Sequence, residues 1–109
     1  MTIAISKDFS ETPGARYRSE GKFSGEEFRD TMLEPRFLEA QEKKEKLCIN
    51  LDGGYGYPTS FLEEAFGGLA RKYDPKQIIN TLDFVSDDEP SLIEEIRGYI
   101  RQARKGEKK

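Results

Sequence analysis

Two hydroxyls and two carboxylates lie close together at the predicted start of a helix in the middle of the chain. Thr59 and Ser60 are followed by Glu63 and Glu64, and Ser60 with Glu63 has capping-box spacing, in which each side chain accepts from the other residue's N–H. Paired carboxylates can also serve acid–base chemistry or bind a metal. No third ligand accompanies them, and negative charge in a first turn suits the helix dipole. We therefore expect Glu63 to cap the helix and no metal to bind.

Other chemistry is limited by the residues that the sequence lacks. It contains no histidine and one cysteine, which removes Ser-His-Asp and Cys-His sites and most zinc sites. Cys48 falls in a predicted buried strand, where a thiol usually only packs. The run GGYG at residues 53–56 lacks the Lys-Ser/Thr of a P-loop and the spacing of a dinucleotide motif. We expect no cofactor and no enzymatic activity.

A basic stripe follows one face of the last predicted helix. Arg97, Arg101 and Arg104 recur at helical spacing, as they would in a nucleic-acid contact. However, Glu94 and Glu95 begin the same helix, and cations near a helix C-terminus suit its dipole. A solvated face is the better interpretation of the stripe.

Alternating periodicities predict alternating strands and helices. Leu47, Ile49 and Leu51 alternate with polar residues, and the stretch from Phe61 to Tyr73 has helical periodicity. We predict strands near residues 2–9, 46–52 and 79–85 and helices near 24–44, 60–73 and 89–104. Residues 15–19 fit a short strand or a loop equally well. This alternation is typical of an α/β sandwich, a sheet covered by helices.

Local signals place the helix ends. Ser24 with Glu27, and Ser86 with Glu89, have the same capping-box spacing as Ser60 with Glu63. Proline biases the residue before it away from the helical conformation, so Pro75 is expected to stop the chain after the middle helix.

A glycine pair, Gly67-Gly68, stands inside the predicted middle helix. Each glycine costs about 0.8–1 kcal/mol relative to alanine there. Compensation would come from close packing inside the fold or from a partner that docks on that face. Packing is the favoured explanation, and docking stays open.

Length and charge indicate one small cytoplasmic domain. The chain has 109 residues and a net charge of −3, a balance that gives no general attraction to nucleic acid or anionic membranes. We expect a domain over residues 1–104 and a disordered basic tail over 105–109. A lone cysteine suits a reducing compartment, and neither a signal peptide nor a membrane span is recognisable.

Four stretches of the chain resemble the STAS-like domains of unknown function, bacterial relatives of the STAS domains of anti-sigma-factor antagonists. They are PGARYRSEG, SGEEFR, LDGGYG and, most specifically, TSFLEEAFGGLAR. The resemblance spans roughly residues 3–100 and implies a mixed sheet of about four strands. That count requires residues 15–19 to be a strand.

The resemblance also implies a function. In STAS antagonists a serine at this helix start is phosphorylated by a partner ATPase-kinase, which makes Ser60 and Thr59 candidate phosphoacceptors. The STAS pattern Asp-Ser-Ser-Gly is Pro58-Thr59-Ser60-Phe61 here, without the aspartate and the glycine. The early loop of STAS-like domains carries a glycine-arginine motif, and here it contains the basic residues Arg16, Arg18 and Lys22.

The leading hypothesis is a non-enzymatic regulatory module that binds a protein partner, by resemblance an ATPase-kinase of the anti-sigma type. The expected contact residues are those of the glycine-rich turn and the helix start: Gly53, Gly54, Tyr55, Tyr57, Ser60, Glu63 and Glu64. Tyr55 and Tyr57 are the expected anchors, because tyrosine buries a large area and loses few rotamers. The alternatives are a nucleic-acid-associated adaptor that uses the last helix and a small enzyme with an unrecognised site.

Overall fold

Three parallel strands form the sheet of this protein, whose computed structural model describes residues 1–103. The strands are β1 (Thr2–Ala4), β2 (Leu47–Asn50) and β3 (Leu82–Val85), in the order β1-β2-β3. Ile49 of β2 pairs with Ile3 of β1 and with Phe84 of β3. The prediction of a central strand at 46–52 is confirmed, but the described residues form three parallel strands and not the expected mixed four.

Helices connect the strands, as parallel pairing requires. They are α1 (Ile5–Asp8), α2 (Gly25–Phe28), a first π segment (Arg29–Leu33), α3 (Glu34–Lys43), α4 (Thr59–Leu62), a second π segment (Glu63–Gly67), α5 (Gly68–Lys72), α6 (Pro75–Thr81) and α7 (Ser91–Gln102). We call α2, the first π segment and α3 the first long helix. The second long helix consists of α4, the second π segment and α5.

The predicted fourth strand at residues 15–19 is a loop followed by a 3₁₀ turn (Arg18–Glu20). Its backbone pairs with the start of α2, where Gly25 N–H donates to Ala15 O at 2.9 Å and Glu26 N–H to Arg16 O at 3.0 Å. These carbonyls satisfy the unpaired N–H groups of a helix end. The loop therefore serves α2 and adds nothing to the sheet.

The first predicted strand, 2–9, is longer than the observed β1. After Ala4 the chain turns into α1, and the Asp8 carboxylate accepts from Ala4 N–H at 2.8 Å. Ile3 and Ile5 are both fully buried, although one lies in β1 and the other in α1. The alternation of apolar residues therefore did not show where the strand ends and the helix begins. A short side chain that binds local backbone competes with strand pairing in this way.

The third predicted strand, 79–85, begins too early. Residues Pro75–Thr81 form α6 before β3 starts at Leu82. Asp74 caps this helix by accepting from Lys76 N–H at 3.0 Å, and Pro75 occupies the first turn, where its missing N–H does no harm. The second long helix ends at Lys72, before the Asp-Pro pair as expected, and the same pair also starts a helix that was not predicted.

The other helix-start signals have different outcomes. Ser24 caps α2 by accepting from Glu27 N–H at 3.0 Å, as predicted. Ser86 caps nothing, because its hydroxyl donates to Glu89 O at 2.5 Å and α7 begins at Ser91. The predicted end of the last helix at residue 104 and the predicted tail at 105–109 lie outside the described residues.

The core lies between the sheet and the long helices. Phe28, Phe37, Phe61 and Phe66 are fully buried in it, and α7 packs on the second π segment. Cys48 of β2 is half-buried. None of the helices within residues 1–103 has the length and apolar character needed to cross a membrane.

Candidate functional site

The β2–α4 loop (residues 51–58) leaves the carboxyl end of the central strand and has a fixed backbone. Gly53 and Gly56 have φ angles of 94° and 117°, which side chains other than glycine rarely allow. A Cβ on Gly54 would lie 3.0 Å from Glu11 O, and Tyr55 N–H donates to the same carbonyl at 3.0 Å. The glycines predicted to permit a tight turn therefore also let this loop approach the segment after α1.

Aspartates tie this loop to the loop that follows β3. The Asp52 carboxylate accepts from the N–H groups of Asp87 and Asp88 at 3.1 and 2.9 Å. Asp88 in turn accepts from Gly53 N–H at 3.2 Å. Among the described residues, no group of three or more His, Cys, Asp or Glu side chains is placed to hold a metal ion.

The two predicted tyrosine anchors have opposite environments. Tyr55 is 84% exposed beside a groove of about 240 Å³. Tyr57 is half-buried, its hydroxyl donates to Leu51 O at 2.8 Å, and its ring centroid lies 6.0 Å from that of Phe61. Burial, and then the charge of Asp52, raise the pKa of Tyr57 to about 12. Tyr55 is available to a partner, whereas Tyr57 holds the loop to the core.

The predicted cap at Ser60 is wrong. Pro58 is the N-cap residue, without a side-chain cap, and its carbonyl accepts from Phe61 N–H at 3.1 Å. Ser60 is therefore the second residue of α4, and its hydroxyl lacks the position of a capping group. Thr59, the first residue of α4, is exposed, whereas Ser60 is half-buried. Of the two candidate phosphoacceptors, Thr59 is the accessible one.

Glu63 binds arginines in place of the expected cap. Its carboxylate accepts from Arg16 and, at 2.8 Å, from Arg71. Burial alone would raise the pKa of Glu63, but the hydrogen bonds from Arg71 and Arg16 outweigh it and hold the pKa below its usual range. Burial also opposes the charge of Arg16, yet Glu63 raises its pKa overall. Glu63 is thus an ionised carboxylate shared by two guanidinium groups.

Glu64 is the buried member of the pair, with only 9% of its side chain exposed. Arg29 of the first π segment donates to its carboxylate at 2.6 Å and to its backbone carbonyl at 2.8 Å. Arg16 and Arg71 lie farther away, with nitrogens 3.6 and 3.5 Å from Glu64 Oε1. We call these five residues, Arg16, Arg29, Glu63, Glu64 and Arg71, the Arg–Glu cluster. It lies where the two π segments meet, and such segments often mark functional sites.

Glycines make room for this cluster. A Cβ on Gly68 would collide with the Arg29 guanidinium, and one on Gly25 would lie 2.5 Å from Phe61 O. The favoured explanation for Gly67-Gly68, packing inside the fold, therefore holds for Gly68. Arg29 and Arg71 were missed as site residues, although both belong to the SGEEFR and SFLEEAFGGLAR stretches that the resemblance singled out.

The Arg–Glu cluster borders a cavity of about 720 Å³. Tyr17 and Tyr99 provide aromatic walls, and Gln102 contributes an amide. Burial, and then the hydrogen bond to Glu95, raise the pKa of Tyr99 to about 12, while the Thr59 side chain acts in the opposite direction. Thr59 therefore lies close to Tyr99, one of the residues that line the cavity.

The remaining basic candidates are not gathered into one surface. Arg18 lies 3.6 Å from Asp30, and neither Arg18 nor Lys22 lines the cavity with Arg16. On α7, Arg97 and Arg101 each lie 3.3 Å from Glu94. Arg104 lies outside the described residues. The predicted stripe is thus, for its two described members, partly neutralised on its own helix.

Comparison with known proteins gives one match. The family model for a STAS-like domain of unknown function (DUF4325) matches residues 24–92, a range that includes α2, the β2–α4 loop and the whole second long helix. Neither the curated proteins nor the solved structures contain a match. Because the family model covers more than half of the 109 residues, the chain belongs to the family of STAS-like domains of unknown function.

Proposed function

We propose that this STAS-like domain is a non-enzymatic protein-interaction module whose docking surface is the β2–α4 loop and the start of α4. The observation that carries the proposal is the 84% exposure of Tyr55. Its loop is held in place by backbone hydrogen bonds to the segment after α1 and to the loop after β3. Interface hot spots are enriched in tyrosine. A loop that is already ordered loses little further entropy when a partner binds.

The contacts that fix the loop support this proposal. Glu11 O holds Tyr55 N–H, and Asp88 holds Gly53 N–H, so Tyr55 projects from a backbone bound at two points. The groove beside it is lined in part by Leu51 and Leu92 and in part by Ser86 and Asp88. A partner that offers an apolar side chain flanked by hydrogen-bond donors would complement that groove.

We further propose that phosphorylation of Thr59 controls docking. Thr59 is exposed at the start of a continuous helical stretch that ends at Lys72, and a helix N-terminus tolerates a phosphate electrostatically. Thr59 directly follows Pro58, the last residue of the β2–α4 loop, so a phosphate there would lie next to the proposed docking surface. The added charge would therefore face the partner, by resemblance an ATPase-kinase of the anti-sigma type.

The state of the paired glutamates supports a role other than catalysis. A general acid needs a pKa near the working pH, whereas arginines hold the pKa of Glu63 below its usual range. Arg29 occupies the buried carboxylate of Glu64. Both groups are therefore engaged as structural ion pairs.

Photo-crosslinking tests the docking surface even while the partner is unidentified. A photo-reactive residue is placed at the loop as Tyr55→p-benzoylphenylalanine. The matched control is Leu38→p-benzoylphenylalanine, at a residue that is 42% exposed on α3. In cells of the source organism we expect one protein to be crosslinked from position 55 and not from position 38. Equal crosslinking from both positions would contradict the proposal.

The phosphorylation step is tested with the captured protein and ATP. Mass spectrometry should locate one added phosphoryl group on Thr59, absent in Thr59→Val and retained in Ser60→Ala. Phosphate on Ser60 alone, or on neither residue, would remove Thr59 from the proposal and leave docking through Tyr55 to be judged by crosslinking.

A further inference from the structure

We infer that the cavity beside the Arg–Glu cluster binds a phosphate monoester that carries an aromatic ring. The cavity of about 720 Å³ falls within the range of about 300–1,000 Å³ that is usual for small-molecule sites. It lies outside the β2–α4 loop, and the proposed docking function does not use it.

Net charge does not exclude an anion from this cavity. Its lining contains two guanidinium groups, those of Arg16 and Arg71, and two carboxylates, those of Glu63 and Glu64, so the charges around it balance. Arg29 does not line the cavity, and it faces Asp30 Oδ1 at 3.5 Å as well as Glu64. The ligand is therefore selected by the donors and acceptors that remain unpaired.

Unpaired hydrogen-bond donors favour an anion. A guanidinium group has five N–H donors in a fixed fork. Arg16 and Arg71 each use Nη1 on Glu63, and Arg71 Nη2 faces Glu64 Oε1 at 3.5 Å. Among the described residues, Nε and Nη2 of Arg16 and Nε of Arg71 have no hydrogen bond or ion pair. Both side chains line the cavity. Forked donors of this kind match the oxygens of a phosphate group.

The two carboxylates are poorly placed to recruit a cationic ligand. Both oxygens of Glu63 are occupied by guanidinium groups. Glu64 Oε2 is occupied by Arg29, and the Arg16 and Arg71 guanidinium groups face Glu64 Oε1 from 3.6 and 3.5 Å. A cationic ligand would have to displace an arginine that is already in place.

The aromatic component follows from the size and walls of the cavity. A bare phosphate ion would leave most of the space empty, while the rings of Tyr17 and Tyr99 border it from different elements. Tyr17 is 46% exposed, and the Arg16 guanidinium lies 6.0 Å from its ring centroid. A flat ring stacked on Tyr17 would place its phosphate next to Arg16.

Calorimetric titration of the full chain tests the inference, with phenyl phosphate and inorganic phosphate as probes. Phenyl phosphate should bind more tightly than inorganic phosphate. Arg16→Gln should weaken both by at least about tenfold, since hydrogen bonds to charged groups contribute about 1.5–3 kcal/mol. Tyr17→Ala should weaken phenyl phosphate and leave inorganic phosphate unchanged. The matched control is Arg101→Gln, on an exposed arginine that does not line the cavity.

A variant that is expected to bind more tightly separates a loss of binding from a loss of folding. Glu63→Gln removes the carboxylate that competes for Arg16 and Arg71, so it should tighten phenyl phosphate while thermal melting confirms that the protein folds. Millimolar phenyl phosphate without measurable heat would overturn the inference. Equal losses in Arg16→Gln and Arg101→Gln would overturn it too. Adenosine monophosphate and phosphotyrosine then identify the source of the ring, by which of the two binds more tightly.

Discussion

Tyr55 and Tyr57 lie on the same loop, and mutations of the two should affect the stability of the protein differently. Tyr57→Phe removes the hydroxyl that donates to Leu51 O and should lower the free energy of unfolding by about 1 kcal/mol. Tyr55→Ala removes a side chain that is 84% exposed and should leave stability within about 0.5 kcal/mol of the wild type. Urea denaturation measures both, and a larger loss in Tyr55→Ala than in Tyr57→Phe would reverse the assignment.

Ser24 and Ser60 form a second matched pair, because each precedes a glutamate by three residues. Only Ser24 accepts from its glutamate's N–H. Ser24→Ala should therefore cost about 1 kcal/mol, and Ser60→Ala should cost clearly less. Equal losses in denaturant would restore Ser60 as a cap.

Three tyrosines predict how stability depends on alkaline pH. Tyr57, Tyr73 and Tyr99 have their pKa raised from 10.0 to about 12, chiefly by burial for Tyr57 and Tyr99 and by the hydrogen bond to Glu34 for Tyr73. A raised pKa in the folded state means that the stabilisation is complete below pH 10 and is lost as pH rises through about 12. Urea midpoints should fall over that interval, and less steeply in Tyr73→Phe. Constant midpoints would contradict these environments.

At acid pH the protein should lose stability as the pH falls, which is the opposite direction from the alkaline side. The pKa of Glu63 is depressed, so its contribution is present above the usual glutamate pKa of about 4.3 and is lost as pH falls through the lower folded value. Glu63→Gln should flatten the acid dependence of the urea midpoint. A full acid dependence in that variant would assign it to other carboxylates.

At the scale of single residues, the sequence singled out polar side chains without revealing their partners. Glu63 and Arg16 were both named as candidates, but a capping box is a local pattern, and Glu63 bonds instead to Arg16 from a distant loop. Tertiary contacts of this kind leave no trace in spacing. The Gly67-Gly68 pair was the one available signal, because glycine inside a helix requires compensation.

Among the elements, the second long helix contains a glycine whose role can be measured. Gly68→Ala would gain up to about 1 kcal/mol of helix propensity, but its Cβ would push Arg29 off Glu64. We expect a net loss of stability. Gly98→Ala, in α7 with open space around its Cβ, should gain about 0.8–1 kcal/mol. A gain in both variants would mean that Arg29 relaxes without cost.

The bounds of the first and third predicted strands failed where a short polar side chain redirected the chain. Asp8 binds Ala4 N–H and ends β1, and Asp74 caps α6. Apolar periodicity was sound for the central strand and for all three predicted helices, since each of those buries a continuous face. It could not separate α6 from β3, because Ile78 of α6 and Leu82 of β3 are both buried. The apolar residues of the two elements therefore read as one strand.

For the whole molecule, the α/β class could be predicted because stretches with strand periodicity alternate with stretches with helical periodicity. The number of strands could not be predicted in this way. The resemblance implied four, and the segment needed for the fourth binds the start of α2. That arrangement positions Arg16 against Glu63. The loop that is missing from the sheet is therefore a part of the cavity wall.

The most direct test of the docking surface uses the partner that crosslinking identifies. That protein is purified without a crosslink, and its affinity is measured for the wild-type domain and for matched variants. Tyr55→Ala should weaken binding by at least about 1 kcal/mol, as interface aromatics do. The double variant Arg97→Ala with Arg101→Ala should bind at wild-type strength, with a weak dependence on salt. A nucleic-acid adaptor that uses α7 would behave differently, because phosphate contacts weaken steeply with salt. If the arginine pair abolishes binding and Tyr55→Ala binds like the wild type, the docking surface is α7 and the account is wrong.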